Sequence, residues 1–247
     1  MFSLIPALAM SLNLMPKPLE VPPMLTNVHK IVMMGDSITQ MGATPHGYVT
    51  LIDHALKEAY PTHGFEVINV GIGGQKAPDM HARFKKDVLD KHPDMVMISV
   101  GVNDVWHDFR NPEWTARDAS GHSGRGIKLD VHLKELEAMV TEAKSAGIKV
   151  VMLSPTVVYE DLNCDENKRM TSYVDAQHRL AEKNQVPFVN LNKSFRSVIG
   201  AFQKEAGKTQ LLLTIDGVHL NDQGNTLMAN DILKTLGVPL PDRLTPH

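Results

Sequence analysis

Continuous apolar runs alternate along the chain with segments in which apolar residues recur at helical spacing. Short, continuous β-prone runs, typical of parallel strands buried on both faces, are each followed by a turn. These predicted strands span residues 28–34, 65–70, 95–100, 148–153 and 187–191, and a shorter apolar run lies at 211–215. The intervening segments carry apolar residues at the spacing of amphipathic helices. The predicted helices span residues 48–59, 75–91, 129–143, 170–184, 194–205 and 226–236.

Strands that alternate with helices favour an α/β fold, in which a parallel sheet of about five strands has helices on both faces. We therefore expect one domain over residues 28–240, preceded by an N-terminal arm or degraded signal segment (1–27) and followed by a tail (241–247). The longest irregular segment, 105–126, contains both tryptophans. Loops of this length in compact domains are usually functional or disordered.

Composition excludes several classes of partner. The 247 residues carry a net charge of -3, with acids and bases interspersed, so we expect no nucleic-acid partner. No segment reaches the ~18 apolar residues of a membrane span. The single cysteine, Cys164, excludes an internal disulfide and a cysteine-based zinc cluster.

The chain is expected to be soluble, and its location stays open. Residues 1–15 are apolar but lack the basic stretch of an export signal, and Pro6 interrupts them. A degraded signal would make the protein periplasmic or secreted, whereas an arm lying on the domain would be consistent with a cytoplasmic protein. Nothing in the sequence indicates the oligomeric state.

Polar or glycine-rich turns follow four of the apolar runs. They are Gly35-Asp36-Ser37, Gly71-Ile72-Gly73-Gly74, Asn103-Asp104 and Asp216-Gly217-Val218-His219. In a parallel sheet the loops after the strands open on the same edge. Residues far apart in sequence are therefore expected to meet in one cleft.

These residue types fit acyl transfer by a serine. Ser37 is the candidate nucleophile, and His219 is the candidate base because a histidine titrates near neutral pH. Asp216, three residues earlier, can orient the imidazole and stabilise its protonated form.

The oxyanion of the tetrahedral intermediate needs hydrogen-bond donors. The candidate donors are the Ser37 N–H, the Gly74 N–H and the Asn103 amide, with Gly73 as an alternative to Gly74. Asp36, Asp104 and Trp106 are candidate substrate contacts. Two of these turns also have a purely structural interpretation. Asn103-Asp104 can cap a helix, and Asp216 with His219 can form a surface ion pair.

Other chemistries have little support. The sequence has no H-E-x-x-H, phosphate-loop or G-x-S-x-G motif, so we expect no catalytic metal, nucleotide cofactor or nucleophile elbow. His107 and His122 are interpreted as solvated loop residues.

At the four turns the sequence resembles the SGNH hydrolases, also called the GDSL family. The motifs occur in the family's order, and the resemblance spans roughly residues 28–236, with Ile38 where the family has leucine. It implies a flavodoxin-like, three-layer α/β/α fold and a serine esterase without metal or cofactor. It also implies the roles of nucleophile for Ser37, base for His219, orienting acid for Asp216, and oxyanion donors for Gly74 and Asn103.

The expected function is ester hydrolysis through an acyl-Ser37 intermediate. Trp106, Trp114, Arg110, Arg117 and Arg125 suggest a polar substrate with a stacking face, so we favour a carbohydrate O-acetyl esterase acting on a glycan or small-molecule ester. A lysophospholipase or thioesterase acting on lipid acyl groups is the alternative. A glycan-binding module without catalysis and an acyltransferase are further alternatives.

Overall fold

The computed structural model describes residues 19–111, 113–206 and 211–240. These residues contain a five-stranded parallel sheet with the strand order β2-β1-β3-β4-β5. The strands are β1 (Lys30–Met34), β2 (Glu66–Asn69), β3 (Met95–Ser99), β4 (Lys149–Leu153) and β5 (Phe188–Val189). This is the flavodoxin-like order, so the predicted fold class is confirmed.

Helices cover both faces of the sheet. One face packs against α2 (Tyr48–Ala59), α7 (Leu191–Ala206) and α8 (Asp222–Leu236). The other face packs against α3 (Ala77–Asp87), α5 (Leu129–Ser145) and α6 (Asp165–Asn184). Two short helices, α1 (Ser37–Met41) and α4 (Val102–Trp106), begin directly after β1 and β3.

Side chains of β1 enter both cores in turn. Ile31 and Met33 lie in the core with α2, α7 and α8, whereas Val32 and Met34 lie in the core with α3 and α5. All four are fully buried. Burial on both faces explains why the strand has a continuous apolar sequence rather than an alternating one.

Some predicted boundaries were wrong. Helix α6 begins five residues before the predicted start at 170. The prediction missed its first turn because that turn is polar and lacks helical periodicity. Strand β5 has two residues, since Leu191 already belongs to α7. The run 211–215 forms only an isolated antiparallel bridge, between Thr214 and Leu220.

The segment 105–126, predicted to be irregular, begins with helical structure. Its first residues complete α4, and a 3-10 turn (His107–Phe109) follows. Asp108 of that turn pairs with Arg169 of α6, and beyond the turn Arg117 pairs with Glu166 of the same helix. These ion pairs fasten the loop to the domain.

The terminal predictions fall partly outside the described residues, because residues 1–18 and 241–247 are not among them. Of the predicted arm, residues 19–27 lie against the domain, and Leu25 is fully buried in its core. Within the described part of the chain, no helix combines the length and the apolar character needed to cross a membrane.

Candidate active site

The carboxyl edge of the sheet carries the candidate site. Strands β1 and β3 are neighbours, and the chain leaves them toward opposite sides, to β2 and to β4. Such a switch in strand order opens a crevice between the two loops. Ser37 follows β1 and Asn103 follows β3, so both loops at this crevice carry candidate residues.

Ser37 is the first residue of α1, and its turn is tightly built. The side chain of Asp36 caps the helix by accepting a hydrogen bond from the Ile38 N–H at 2.9 Å. A Cβ atom at Gly35 would lie 1.9 Å from Thr39 Oγ1, so only glycine fits there. In the Gly-Asp-Ser sequence the glycine is therefore required by packing and the aspartate by helix capping, and the serine supplies the hydroxyl.

The structure brings Ser37, His219 and Asp216 together. His219 Nε2 lies 2.9 Å from Ser37 Oγ, and His219 Nδ1 lies 2.6 Å from Asp216 Oδ2. In the tautomer that satisfies both contacts, Nδ1–H donates to the carboxylate and Nε2 accepts from the serine hydroxyl. The three side chains thus form one continuous hydrogen-bonded chain.

Asp216 is held as a carboxylate within its own turn. Its Oδ1 accepts the N–H groups of Val218 and His219 at 2.9 and 2.8 Å. Partial burial alone would raise its pKa, but the hydrogen bonds from His219 and the two backbone groups outweigh this effect. The pKa of Asp216 consequently lies below the usual value for an aspartate.

The glycine loop after β2 offers different groups at Gly73 and Gly74. The Gly73 N–H donates to Gln40 Oε1 at 3.0 Å. Among the described residues, none accepts a hydrogen bond from the Gly74 N–H. Gly74 adopts a φ of 76°, which favours glycine, and its N–H is therefore the one available to a ligand.

Asn103 lies on α4 with its side chain buried. One hydrogen of its Nδ2 amide is donated to the backbone oxygen of Gln75 at 3.0 Å. Because an amide NH2 group has two hydrogens, this bond fixes the group and leaves a second donor.

Asp36 and Asp104, also expected as substrate contacts, are almost fully buried and hydrogen-bonded within the protein. Asp104 Oδ1 accepts from the Ala77 N–H at 3.1 Å and from His132 Nδ1 at 2.8 Å. Burial raises the pKa of Asp36 to about 6, and the nearby charge of Asp104 adds to this while the Ile38 N–H opposes it. Each carboxylate accepts a backbone N–H group, from Ile38 for Asp36 and from Ala77 for Asp104.

Trp106 belongs to an aromatic group with Tyr159 and Trp114. Its indole Nε1–H donates to the Tyr159 hydroxyl at 2.5 Å, and its ring meets Trp114 edge-on at 6.2 Å. Trp114 keeps 39% of its surface exposed, and the Arg125 guanidinium lies 5.0 Å from its ring centre. A cation beside an exposed indole suits a polar ligand with a flat face.

Two other loop side chains do not match the sequence interpretation. Arg117 points to α6, where it binds Glu166, rather than to the cleft mouth. His107 is buried against Trp106 and Trp114 and is not solvated. Burial lowers the pKa of His107 to about 4, so the ring is neutral at physiological pH.

Sequence reasoning missed Tyr159 and Glu160. Both adopt positive φ angles, 60° and 52°. The Tyr159 N–H donates to the Gly217 oxygen at 2.5 Å, and the buried Glu160 carboxylate accepts hydrogen bonds from residues 212–214. Neither residue lies in a motif or a periodic pattern, so no local signal marked them as supports of the Asp216-His219 turn.

A parallel α/β sheet with a serine, a histidine and an aspartate hydrogen-bonded in series at its carboxyl edge is the arrangement of a serine hydrolase. The chain belongs to the GDSL-like Lipase/Acylhydrolase family, which it matches over residues 33–227. The predicted family is confirmed, and the protein is a carboxylic ester hydrolase.

Two curated relatives are esterases. An acetylxylan esterase from Geobacillus stearothermophilus is 27% identical over 219 residues, which are 84% of this chain and 94% of the relative. An isoamyl acetate-hydrolyzing esterase from Saccharomyces cerevisiae is 24% identical over 224 residues, which are 84% of this chain and 85% of the relative.

Solved structures of acetylxylan esterases share the fold. That of AlAXEase has a TM-score of 0.73 at 35% identity and covers 83% of this chain and 98% of its own. Those of Axe2 from Geobacillus stearothermophilus include catalytic mutants in which a serine, an aspartate or a histidine is changed to alanine. The aspartate mutant has a TM-score of 0.72 at 27% identity and covers 85% and 95% of the two chains. Its mutated aspartate and the histidine lie three positions apart, the same separation as between Asp216 and His219.

Proposed function

We propose that the protein removes acetyl groups from carbohydrates through an acyl-Ser37 intermediate. The observation that carries this proposal is the hydrogen-bonded series from Ser37 Oγ to His219 to Asp216, with contacts of 2.9 and 2.6 Å. Removal of the hydroxyl proton by the imidazole makes the serine a competent nucleophile. The geometry is already that of a base in contact with its proton donor.

In the first half-reaction Ser37 Oγ attacks the ester carbonyl as its proton passes to His219 Nε2. Asp216 stabilises the resulting imidazolium, and its low pKa keeps it ionised for that role. The carbonyl oxygen takes up negative charge and is stabilised by the N–H groups of Ser37 and Gly74 and by the Asn103 amide. The tetrahedral intermediate then collapses, and the alcohol leaves with the proton from His219.

In the second half-reaction a water molecule attacks the acyl-serine ester. His219 takes a proton from this water and returns it to Ser37 Oγ as the acid departs. The same donors stabilise the second oxyanion. Acetic acid and the free sugar hydroxyl are the products, and the enzyme returns to its starting state.

The substrate class is supported by the relatives and by the pair formed by Trp114 and Arg125. The curated relatives and solved structures described above carry names of acetate-ester enzymes, and all except the Saccharomyces cerevisiae esterase name acetylxylan. The exposed Trp114 with Arg125 beside it suits a sugar ring and its hydroxyl groups. No comparable observation favours a lipid acyl group or a thioester.

Hydrolysis of p-nitrophenyl esters from acetate to octanoate, and acetate release from acetylated xylo-oligosaccharides, test the proposal. We expect wild type to prefer acetate and Ser37→Ala to lose activity by roughly 10^4-fold or more. Preference for octanoate would move the assignment to lipid acyl hydrolysis. Activity retained in Ser37→Ala would contradict the mechanism, and ester products formed with an added alcohol would reveal an acyltransferase.

A further inference from the structure

Arg83 lies on α3 and points its guanidinium group under the candidate site. Its side chain is only 12% exposed. Nη2–H donates to the Gly35 oxygen at 3.2 Å, Nη1–H donates to the Val70 oxygen at 2.7 Å, and Nε–H donates to Gln75 Oε1 at 2.5 Å. One side chain thus contacts three segments that follow or flank strand ends.

Each of these contacts adjoins a group of the proposed mechanism. Gly35 lies two residues before Ser37, and Val70 and Gln75 border the loop that contains Gly74 on either side. The backbone oxygen of Gln75 also accepts the hydrogen bond from Asn103 Nδ2 at 3.0 Å. Arg83 therefore connects the nucleophile turn, the glycine loop and, through Gln75, the Asn103 amide.

We propose that Arg83 is a positioning residue that sets the oxyanion donors relative to the nucleophile. The inference rests on the proposed function, because the distance between the Ser37 hydroxyl and the Gly74 N–H matters for the rate only if both groups take part in catalysis. A guanidinium is planar and holds its donors in a fixed fork, which a lysine ammonium cannot reproduce. Misplacement of catalytic groups by about 1 Å can cost on the order of 10^2-fold in rate.

The chain offers a matched control in Asp87. Arg83 Nη1 also forms an ion pair with Asp87 Oδ2 at 2.8 Å, one turn further along α3. Asp87→Asn removes this ion pair but leaves the three contacts to the loops in place. A role of Arg83 in helix stability alone would be disturbed by both Arg83→Ala and Asp87→Asn, whereas a positioning role would be disturbed only by Arg83→Ala.

The test compares p-nitrophenyl acetate kinetics of wild type, Arg83→Ala, Arg83→Lys and Asp87→Asn. We expect kcat of Arg83→Ala to fall by about 10- to 100-fold with KM changed by less than about threefold. Arg83→Lys is expected to lie between wild type and Arg83→Ala, and Asp87→Asn within about twofold of wild type. Methylguanidinium added at millimolar concentration should restore part of the kcat of Arg83→Ala and leave wild type unchanged.

An undiminished kcat in Arg83→Ala, or an equal loss in Asp87→Asn, would overturn the inference. So would a loss that follows the unfolded fraction of Arg83→Ala, measured by circular dichroism, without rescue by methylguanidinium. If Arg83→Ala does not fold, Arg83→Lys carries the same comparison.

Labelling of Ser37 by a fluorophosphonate separates this inference from the proposed function. If wild type hydrolyses no acetate ester, the proposed function fails, and the labelling rate still tests Arg83 because phosphonylation uses the same nucleophile and donors. Slower labelling in Arg83→Ala than in Asp87→Asn would then support the positioning role, and equal rates would contradict it.

Discussion

Glu160 accepts two hydrogen bonds from Thr214, one from its backbone N–H at 2.8 Å and one from its hydroxyl at 2.7 Å. The same carboxylate accepts the N–H groups of Leu212 and Leu213, each at 2.8 Å. Asp216 follows only two residues later. A buried side chain from a different loop therefore anchors the segment that delivers the Asp216-His219 turn to Ser37.

We expect Glu160→Gln to lower the free energy of unfolding by roughly 1–3 kcal/mol, because its oxygen can keep the bonds of Oε1 while its amide NH2 would face the Leu212 N–H that now meets Oε2. Urea denaturation measures this change. Glu205→Gln, at an exposed position on α7, is the control and should stay within about 0.5 kcal/mol of wild type. Equal stabilities of the two variants would show that the hydrogen bond from the Leu212 N–H contributes little.

Asn103→Ala is expected to reduce kcat by about 10^2- to 10^3-fold while KM changes little, because the amide would act mainly on the oxyanion of the transition state. Steady-state kinetics with p-nitrophenyl acetate tests this. Asn163→Ala, at an exposed position, serves as the control. A rise in KM with an unchanged kcat would instead indicate that Asn103 binds the ground-state ester.

Asp36→Asn is expected to change how stability depends on pH. Burial raises the folded-state pKa of Asp36 to about 6, above its value in the unfolded chain. The folded state therefore binds the proton more tightly, and ionisation of Asp36 costs stability as the pH rises from about 4 to 7. The asparagine variant lacks this cost and can still accept the Ile38 hydrogen bond that caps α1.

Unfolding measured at pH 4 and pH 8 tests this expectation. Relative to wild type, Asp36→Asn should gain roughly 1–3 kcal/mol between the two values. Asp90→Asn, at a half-exposed carboxylate in an ion pair with Lys85, should show little change over the same interval. A parallel pH dependence of Asp36→Asn and wild type would mean that Asp36 ionises normally.

Trp114→Ala is expected to raise KM for acetylated xylo-oligosaccharides by about 2- to 10-fold, the range of one lost aromatic contact. The kinetics of p-nitrophenyl acetate should not change, because this ester has no sugar ring to contact Trp114. Val198→Ala, at another exposed apolar position, is the control. Equal changes in the kinetics of both substrates would indicate that Trp114 stabilises the site and does not contact the glycan.

The strand and helix alternation was predictable because burial on both faces leaves a strong local signal. Residues 31–34 of strand β1 are all apolar because successive side chains, such as Ile31 and Val32, enter opposite cores. The turns after β1 and β3 were equally visible, because the parallel topology sends Ser37 and Asn103 to one edge. The turn of His219 follows the run 211–215, which forms only the Thr214–Leu220 bridge, and it was recognised by its residue types. The short helix α4 was missed, since five residues carry too little periodicity to distinguish a helix from a loop.

The residues that hold the site in place, Arg83 and Glu160, could not be predicted from the sequence. In the sequence Arg83 is one of several charged residues of α3, and Glu160 is one acidic residue of a polar loop. Their importance arises from contacts with segments tens of residues away, which no local spacing encodes. For the same reason the sequence did not show that Asp36 and Asp104 are almost fully buried.

Ser37 and His219 meet at 2.9 Å although 182 residues separate them along the chain. During synthesis the nucleophile therefore leaves the ribosome long before its base has been translated. Up to that moment the serine is an ordinary alcohol, and the nascent chain has no means of attacking an ester. Esterase activity can therefore appear only after residues 216–219 have reached the loop after β1, so its appearance reports that the two ends of the domain have come together.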